Sequence, residues 1–326
     1  MSTEWTEGIF RILMNVGKGG EAHVSYVVID EEIAVIDCTS SKTVVPEILS
    51  LIRSQRRKND DVKHIILTHT HPDHIGGLVA LKKQFPSAKL YVQENGAETL
   101  QNAKEVLFNQ RFPLQGKFAK LSLALSTGMF ADIKKIEPEH VFQTDETIDL
   151  GQETLMIQAS GGHSNDHAII HAVEKKATFI GDESFVYADK PESFFFDLTG
   201  DPARRNKTIN LLKNMKTELV CPAHTPPIPC SGHNRADLVT FIDKCNAAYS
   251  LTERTIIDLL SDMGDSSVAD ISYYLNRSLD VNWKSPFAEM KVGSVTVEVI
   301  LKHLKKEGRA EFNPKKNVWK TLDYSY

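Results

Sequence analysis

Ile65-Ile66-Leu67-Thr68-His69-Thr70-His71-Pro72-Asp73-His74 is the stretch on which the reading of this chain turns. Three imidazoles and a carboxylate fall within six residues, directly after an apolar run and just before Gly76-Gly77. The apolar run reads as a short buried strand, so the polar cluster sits at a strand end. Residues two apart point the same way in an extended segment, which lets His69 and His71 reach one point while Asp73 and His74 turn toward a neighbouring one. Imidazole and carboxylate suit zinc, iron or manganese. Packing does not explain such a cluster, so metal-assisted chemistry is the leading reading, with one cluster feeding two metal ions.

Closing two coordination shells requires ligands from elsewhere, and three segments offer them, each just after an apolar strand. His163 lies in Ala159-Ser160-Gly161-Gly162-His163-Ser164, where two glycines let the backbone pass close to its neighbours. Asp182 lies in Phe179-Ile180-Gly181-Asp182, and its two oxygens can bridge two metals. His224 lies in Val220-Cys221-Pro222-Ala223-His224-Thr225. Open α/β sheets place their sites at strand ends of this kind.

Around these motifs the chain alternates. Strands are predicted at Ile9–Val16, His23–Ile29, Ile33–Cys38, His64–Leu67, Lys89–Val92, Thr154–Gln158, Ala168–Val173, Thr178–Ile180 and Leu219–Cys221. Helices are predicted at Val44–Gln55, Leu78–Phe85 and Arg204–Met215. Residues 96–130 break the alternation: Ala97–Gln110 and Phe118–Met129 both look helical, and this insertion is read either as a lid over the site or as a packed structural excursion. From Asn234 the texture becomes helical. A long helix over Asp237–Leu260, with Ser250-Leu251-Thr252 as a point of interruption, precedes helices at Val268–Leu275 and Ser294–Glu307 and a hairpin over Arg309–Phe312 and Asn317–Thr321. Three helices and a hairpin form the pattern of a winged helix. The division expected is residues 1–233 and residues 234–326, an α/β layer domain followed by a winged-helix-like domain.

The order HxHxDH, GxHS, GD and PAHT, with Asp37 in Val35-Ile36-Asp37-Cys38, resembles the metallo-β-lactamase superfamily and its glyoxalase II-like branch over roughly residues 8–233. The resemblance implies an αββα sandwich with its site along one edge of the paired sheets. It implies that His69, His71 and His163 hold one metal, that Asp73, His74 and His224 hold the other, and that Asp182 bridges them together with a hydroxide that attacks the substrate. Asp37 is then the structural residue that supports the metal loop, and Asp73 counts as both ligand and catalytic residue. Tyr187, in the segment after Asp182, is the second candidate catalytic residue, as a donor to a substrate oxyanion; a half-buried aromatic is its bland alternative. His167 is read as a supporting residue. His23, His64, His140, His171, His233 and His303 lie in no motif.

The function expected is dinuclear metal-dependent hydrolysis of a carboxylic ester, thioester or lactone, with two divalent ions, zinc ahead of iron or manganese, as cofactors. The aromatic run Phe194-Phe195-Phe196, read as core or as the wall of an apolar pocket, makes the segment similar to thioesterases of the superfamily and favours a small-molecule acyl substrate. Two alternatives remain. A β-lactamase-like domain with a winged helix resembles a subgroup that includes a mitochondrial endoribonuclease, and Lys302, Lys305, Lys306, Arg309, Lys315 and Lys316 are the cations that would contact phosphates. Glu298, Glu307 and Glu311 dilute them, so packing or homodimerisation is the preferred role of the tail. The last alternative is a regulator that senses a small molecule.

Composition narrows the setting. A net charge of −5 gives no blanket attraction to nucleic acid or to anionic membrane. No window approaches the roughly 18 to 20 apolar residues of a membrane span. The N-terminus lacks the pattern of a signal peptide, and Cys38, Cys221, Cys230 and Cys245 form no CxxC pair. A cytoplasmic, reduced chain is the simplest reading.

Overall fold

A computed structural model describes residues 2–15, 21–111, 133–184, 194–230, 235–279 and 293–322. Backbone contacts divide the chain into two compact units. The first comprises Met1–Ser160, Asp166–Gly181 and Lys216–Arg235; the second comprises Gly161–Asn165, Asp182–Met215 and Ala236–Tyr326.

The first unit holds two sheets. One has seven strands in chain order: β1 (Ser2–Thr6), β2 (Ile9–Asn15), β3 (Glu21–Ile29), β4 (Ile33–Ile36), β5 (Val62–Ile66), β6 (Lys89–Gln93) and β7 (His140–Phe142). It is antiparallel from β1 to β4 and parallel from β4 to β7. The other has six: β8 (Glu146–Asp149), β9 (Thr154–Ala159), β10 (Ala168–Ala172), β11 (Ala177–Gly181), β12 (Leu219–Pro222) and β13 (Ile228–Pro229), neighbours in that order, with β11 and β12 parallel. The helices are α1 (Val44–Ser54), α2 (Pro72–Ile75), α3 (Leu78–Gln84) and α4 (Glu94–Val106), the last followed by a π-helical turn at Leu107–Arg111.

The two-residue period of the strands builds two cores at once. Val27, Val35 and Ile65 face the helices, packing with Val45, Ile48 and Ile52 of α1 and Leu78 and Leu81 of α3. Tyr26, Val28, Ala34, Ile36 and Ile66 face the other sheet, packing with Leu155, Ile157, Ile170 and Phe179. Covered on both sides, β4 reads Ile-Ala-Val-Ile without alternation and is fully buried. This is the layered α/β sandwich that the sequence predicts.

The second unit contains α5 (Pro202–Leu211), α6 (Arg235–Met263), α7 (Val268–Ser278), α8 (Ser294–Lys306) and the hairpin of β14 (Ala310–Asn313) and β15 (Val318–Thr321). Its core joins Phe194, Phe196, Tyr249, Ile256, Leu260, Ile271, Val297, Ile300, Leu304 and Trp319. Phe194 and Phe196 are therefore core here, whereas Phe195, also buried, lies outside this cluster with its ring 5.3 Å from that of His163. Ser267 and Asp270 form a capping box that starts α7. Just before it, Ser266 pairs with Trp319 through two backbone hydrogen bonds of 2.9 and 2.8 Å, adding a one-residue strand to the hairpin.

Several boundaries differ from expectation. The long helix runs through Ser250-Leu251-Thr252, and the Thr252 hydroxyl donates to the Ala248 carbonyl within it. The helix expected from Arg204 begins at Pro202, where Asp201 caps the amides of Ala203 and Arg204 and proline supplies a preset first turn. The first inserted helix is present but broken at Asn102, whose φ and ψ are −137° and 47°. The second, Phe118–Met129, lies outside the described residues. No helix among the described residues is long and apolar enough to cross a membrane.

Trp319 is 4% exposed, and its ring lies 4.9 Å from that of Phe312. Trp319→Ala is expected to destabilise the helical unit by about 3–5 kcal/mol, read as a lower urea midpoint by helical circular dichroism. An unchanged midpoint would contradict this packing.

Candidate metal centre

The site starts at Asp37, the residue after β4. It holds a left-handed backbone, φ 56°, a conformation that Asp tolerates better than most side chains. Its carboxylate accepts from the Thr68 amide at 2.8 Å and the Thr68 hydroxyl at 2.7 Å. The same carboxylate lies 2.9 Å from Nδ1 of His74, which α2 carries. Cys38 ties the rest of the turn, its amide donating to the His74 carbonyl and its carbonyl accepting from Gly77. Asp37 thus fixes both ends of the loop that bears His69, His71 and Asp73.

Within that loop, Nε2 of His69 and Nδ1 of His71 lie 3.0 Å apart. Two ligands each about 2.0–2.1 Å from one tetrahedral zinc sit roughly 3.3 Å from each other. Thr70, between the two histidines, is held by Asp166, which accepts from its amide at 2.9 Å and its hydroxyl at 2.6 Å. Arg111 donates to the other Asp166 oxygen at 2.9 Å.

The remaining three residues come from the other sheet's strand ends. Asp182 follows β11 through Gly181, whose φ is +48°; a Cβ there would lie 2.5 Å from Nε2 of His167. His163 stands on the double-glycine loop with its Nδ1 2.7 Å from the Phe195 carbonyl oxygen. A carbonyl only accepts, so Nδ1 carries the proton, and in the neutral ring Nε2 keeps its lone pair as a ligand. That Nε2 is 3.6 Å from an Asp182 oxygen. His224 follows β12, with its Nε2 3.5 Å from the Asp73 oxygen that lies 3.9 Å from Nε2 of His74. These spacings bring the donor atoms of each pair to within 4 Å of one another.

One ligand atom from each of His69, His71, His163 and Asp182 falls within 4.8 Å of the others, and the same holds for Asp73, His74, Asp182 and His224. The cluster is able to hold metal ions, and its chemistry fits them. Two histidines have their second ring nitrogen engaged by an oxygen, which leaves the first for coordination. Asp73 and Asp182 bring two carboxylates together, a repulsion that a divalent cation relieves. His69, His71, His74, His163 and Asp182 are buried, whereas the Asp73 side chain is 16% exposed, so the second group is the more open.

His167 belongs to neither group; its Nδ1 lies 2.7 Å from the Ser160 hydroxyl and its ring 5.1 Å from that of His69. Tyr187 lies outside the described residues. All four cysteines are buried free thiols, and burial pushes the Cys38 and Cys221 thiols well above their usual range. Sequence reasoning missed the Thr68 hydroxyl, the Phe195 carbonyl and Glu183, whose carboxylate accepts from the Gly162 amide at 3.2 Å while its carbonyl accepts from Arg205. A third acid–histidine group, Glu253, His303 and Glu307, already contains Arg309, which pairs with both glutamates.

Asp37→Asn keeps the shape but turns one acceptor into a donor facing the His74 ring N–H. Metal affinity, measured by chelator competition, is expected to fall about 10- to 100-fold; wild-type affinity would show that Asp37 does not orient His74.

Comparison with known proteins agrees with this geometry. The Metallo-beta-lactamase superfamily model matches residues 19–224. A hydroxyacylglutathione hydrolase of Legionella pneumophila (strain Corby) is 40% identical over 63 residues, 19% of this chain and 23% of that protein. An acyl-coenzyme A thioesterase of Homo sapiens is 27% identical over 235 residues, 67% of this chain and 78% of that protein. The match spans less than a quarter of the Legionella relative's length and 36% of a probable hydroxyacylglutathione hydrolase of Schizosaccharomyces pombe. A metallo-beta-lactamase family protein from Thermus thermophilus superposes with a TM-score of 0.70 over 98% of this chain and all of that one, at 16% identity, a likeness of fold. With the ligand motifs, the paired sheets and a family match that covers most of both, the chain belongs to the metallo-β-lactamase superfamily.

Proposed function

We propose that the protein is a dinuclear metal-dependent hydrolase of a carboxylic thioester, with ester and lactone as neighbouring substrates. The observation that carries this reading is the sharing of Asp182 by both four-residue groups. A carboxylate has one oxygen for each of two cations, which a neutral imidazole lacks. His69, His71 and His163 would complete one shell with it, and Asp73, His74 and His224 the other. The donor set suits zinc, with iron or manganese as alternatives. Such ions supply Lewis acidity toward the attacked oxygen and bring the pKa of bound water down to about 7.

The chain's own residues do the rest. The Phe195 carbonyl and Asp37 hold the His163 and His74 rings in one tautomer and one orientation. Asp73, 16% exposed, is on the more open side of the cluster, where a substrate would enter. The thioester class is supported by the names of two relatives, a hydroxyacylglutathione hydrolase and an acyl-coenzyme A thioesterase. The proposed oxyanion donor, Tyr187, rests on its sequence position alone.

For the C-terminal segment we propose a winged helix used for packing or self-association. Support comes from α7, α8 and the hairpin, with Ser266 adding a third strand through Trp319. Lys302 pairs with Glu298, Lys316 with Asp265, and Arg309 with Glu253 and Glu307. Acidic partners on three of the six candidate cations favour this role over phosphate contacts.

The test is a panel of an acyl-coenzyme A thioester, a glutathione thioester, a lactone and a phosphodiester, given to metal-loaded protein. Thioester cleavage that a chelator removes and added metal restores is expected, and Asp182→Ala should lower it more than about 100-fold, since even outer partners of ligands are worth 10- to 100-fold. Cleavage of the phosphodiester alone would replace the thioester reading with a nuclease.

A further inference from the structure

We infer that Arg111 is a positioning residue for the metal loop, acting through Asp166, so that α4 and the π-helical turn after it are part of the metal-binding apparatus. The inference rests on the two-metal reading above and deepens it. Asp166 is 1% exposed and Arg111 also 1%, an ion pair removed from solvent. A buried carboxylate of this kind is kept only when its oxygens are well used, and both are. One accepts from Arg111 at 2.9 Å. The other accepts from the amide of Thr70 at 2.9 Å and its hydroxyl at 2.6 Å.

Thr70 is the residue between His69 and His71. Its two bonds to Asp166 hold the segment that sets the nitrogens of both imidazoles 3.0 Å apart. Asp37 holds the loop at Thr68 and His74; Asp166 holds it in the middle. Arg111 comes from the π-helical turn that closes the first part of the insertion. A planar guanidinium with five donors orients a carboxylate more firmly than an ammonium can.

The insertion touches the same point a second time. Gly96, in the first turns of α4, has no room for a side chain: a Cβ would lie 2.9 Å from the Asp166 oxygen that holds Thr70 and 2.9 Å from Cγ2 of Thr70. The close approach of α4 therefore seals the Thr70–Asp166 bonds from one side while Arg111 holds the far oxygen.

The experiment compares wild type, Arg111→Ala, Arg111→Lys, Asp166→Ala, the Arg111→Ala/Asp166→Ala double variant and Gly96→Ala. Zinc stoichiometry and affinity are read by chelator competition, and Thr70 amide exchange is read by NMR on the metal-free protein. Arg111→Ala is expected to weaken one of two zinc sites about 10- to 100-fold and to speed Thr70 exchange, with partial rescue by Arg111→Lys. The double variant should be no worse than Asp166→Ala, because one residue acts through the other. Gly96→Ala, which disturbs the same bonds by adding a single methyl, should weaken the same site, and it decides the matter if Arg111→Ala does not fold. Two wild-type zinc affinities in the Arg111 and Gly96 variants would overturn the inference and leave the hydrolase reading intact. Loss of one site in these variants, beside a wild type that binds two ions yet cleaves no acyl substrate, would uphold the inference and remove the hydrolase reading. A wild type that binds no zinc, iron or manganese would overturn both.

Discussion

The buried carboxylate of Asp37 is the constraint on which the site depends. It sits at the end of a strand buried on both faces, where an ionised group costs several kcal/mol unless its lone pairs are used. The Thr68 amide, the Thr68 hydroxyl and the His74 ring use them. Those contacts select the turn that the chain takes after β5, because any other path would leave the carboxylate without donors. The left-handed backbone of Asp37 is part of the same arrangement: it points the carboxylate at the metal loop, and the bonds it makes offset the conformational cost.

The second sheet repeats the logic with different means. Its strands end at Gly181 and Pro222; Asp182 follows the first directly and His224 the second after Ala223. Parallel pairing of β11 with β12 brings those ends to the same edge, and the Ala223 amide bonds the Gly181 carbonyl to set their register. His163 is oriented by a backbone carbonyl, His74 by a carboxylate. Rigid strands place the candidate ligands, and outer hydrogen bonds choose which ring nitrogen is left for a metal.

The parts of this that sequence makes legible are those with local signatures. An apolar run followed by polar ligand types marked the ends of β5, β11 and β12, and the stripe of Val295, Val299, Ile300 and Leu304 marked α8. Strands β1, β7, β8 and β13 escaped because they are short or half exposed, and Ser2–Thr6 carries no apolar alternation. Phe195 orients His163 through its carbonyl, an atom that every residue has, so no residue type could reveal it. Arg111 and Asp166 are far apart in sequence and each looks like an ordinary surface charge; only the fold shows them buried against one another. Ser266 pairs with Trp319 as a single-residue strand, below the length at which a pattern exists.

The central claim is that seven side chains close two metal shells sharing Asp182. Anomalous diffraction at the metal edge from crystals of the metal-loaded protein tests it most directly. The account predicts two peaks about 3.5–4 Å apart, both in contact with Asp182, one also against His69, His71 and His163 and the other against Asp73, His74 and His224. A single peak, or two peaks that do not share Asp182, would contradict it.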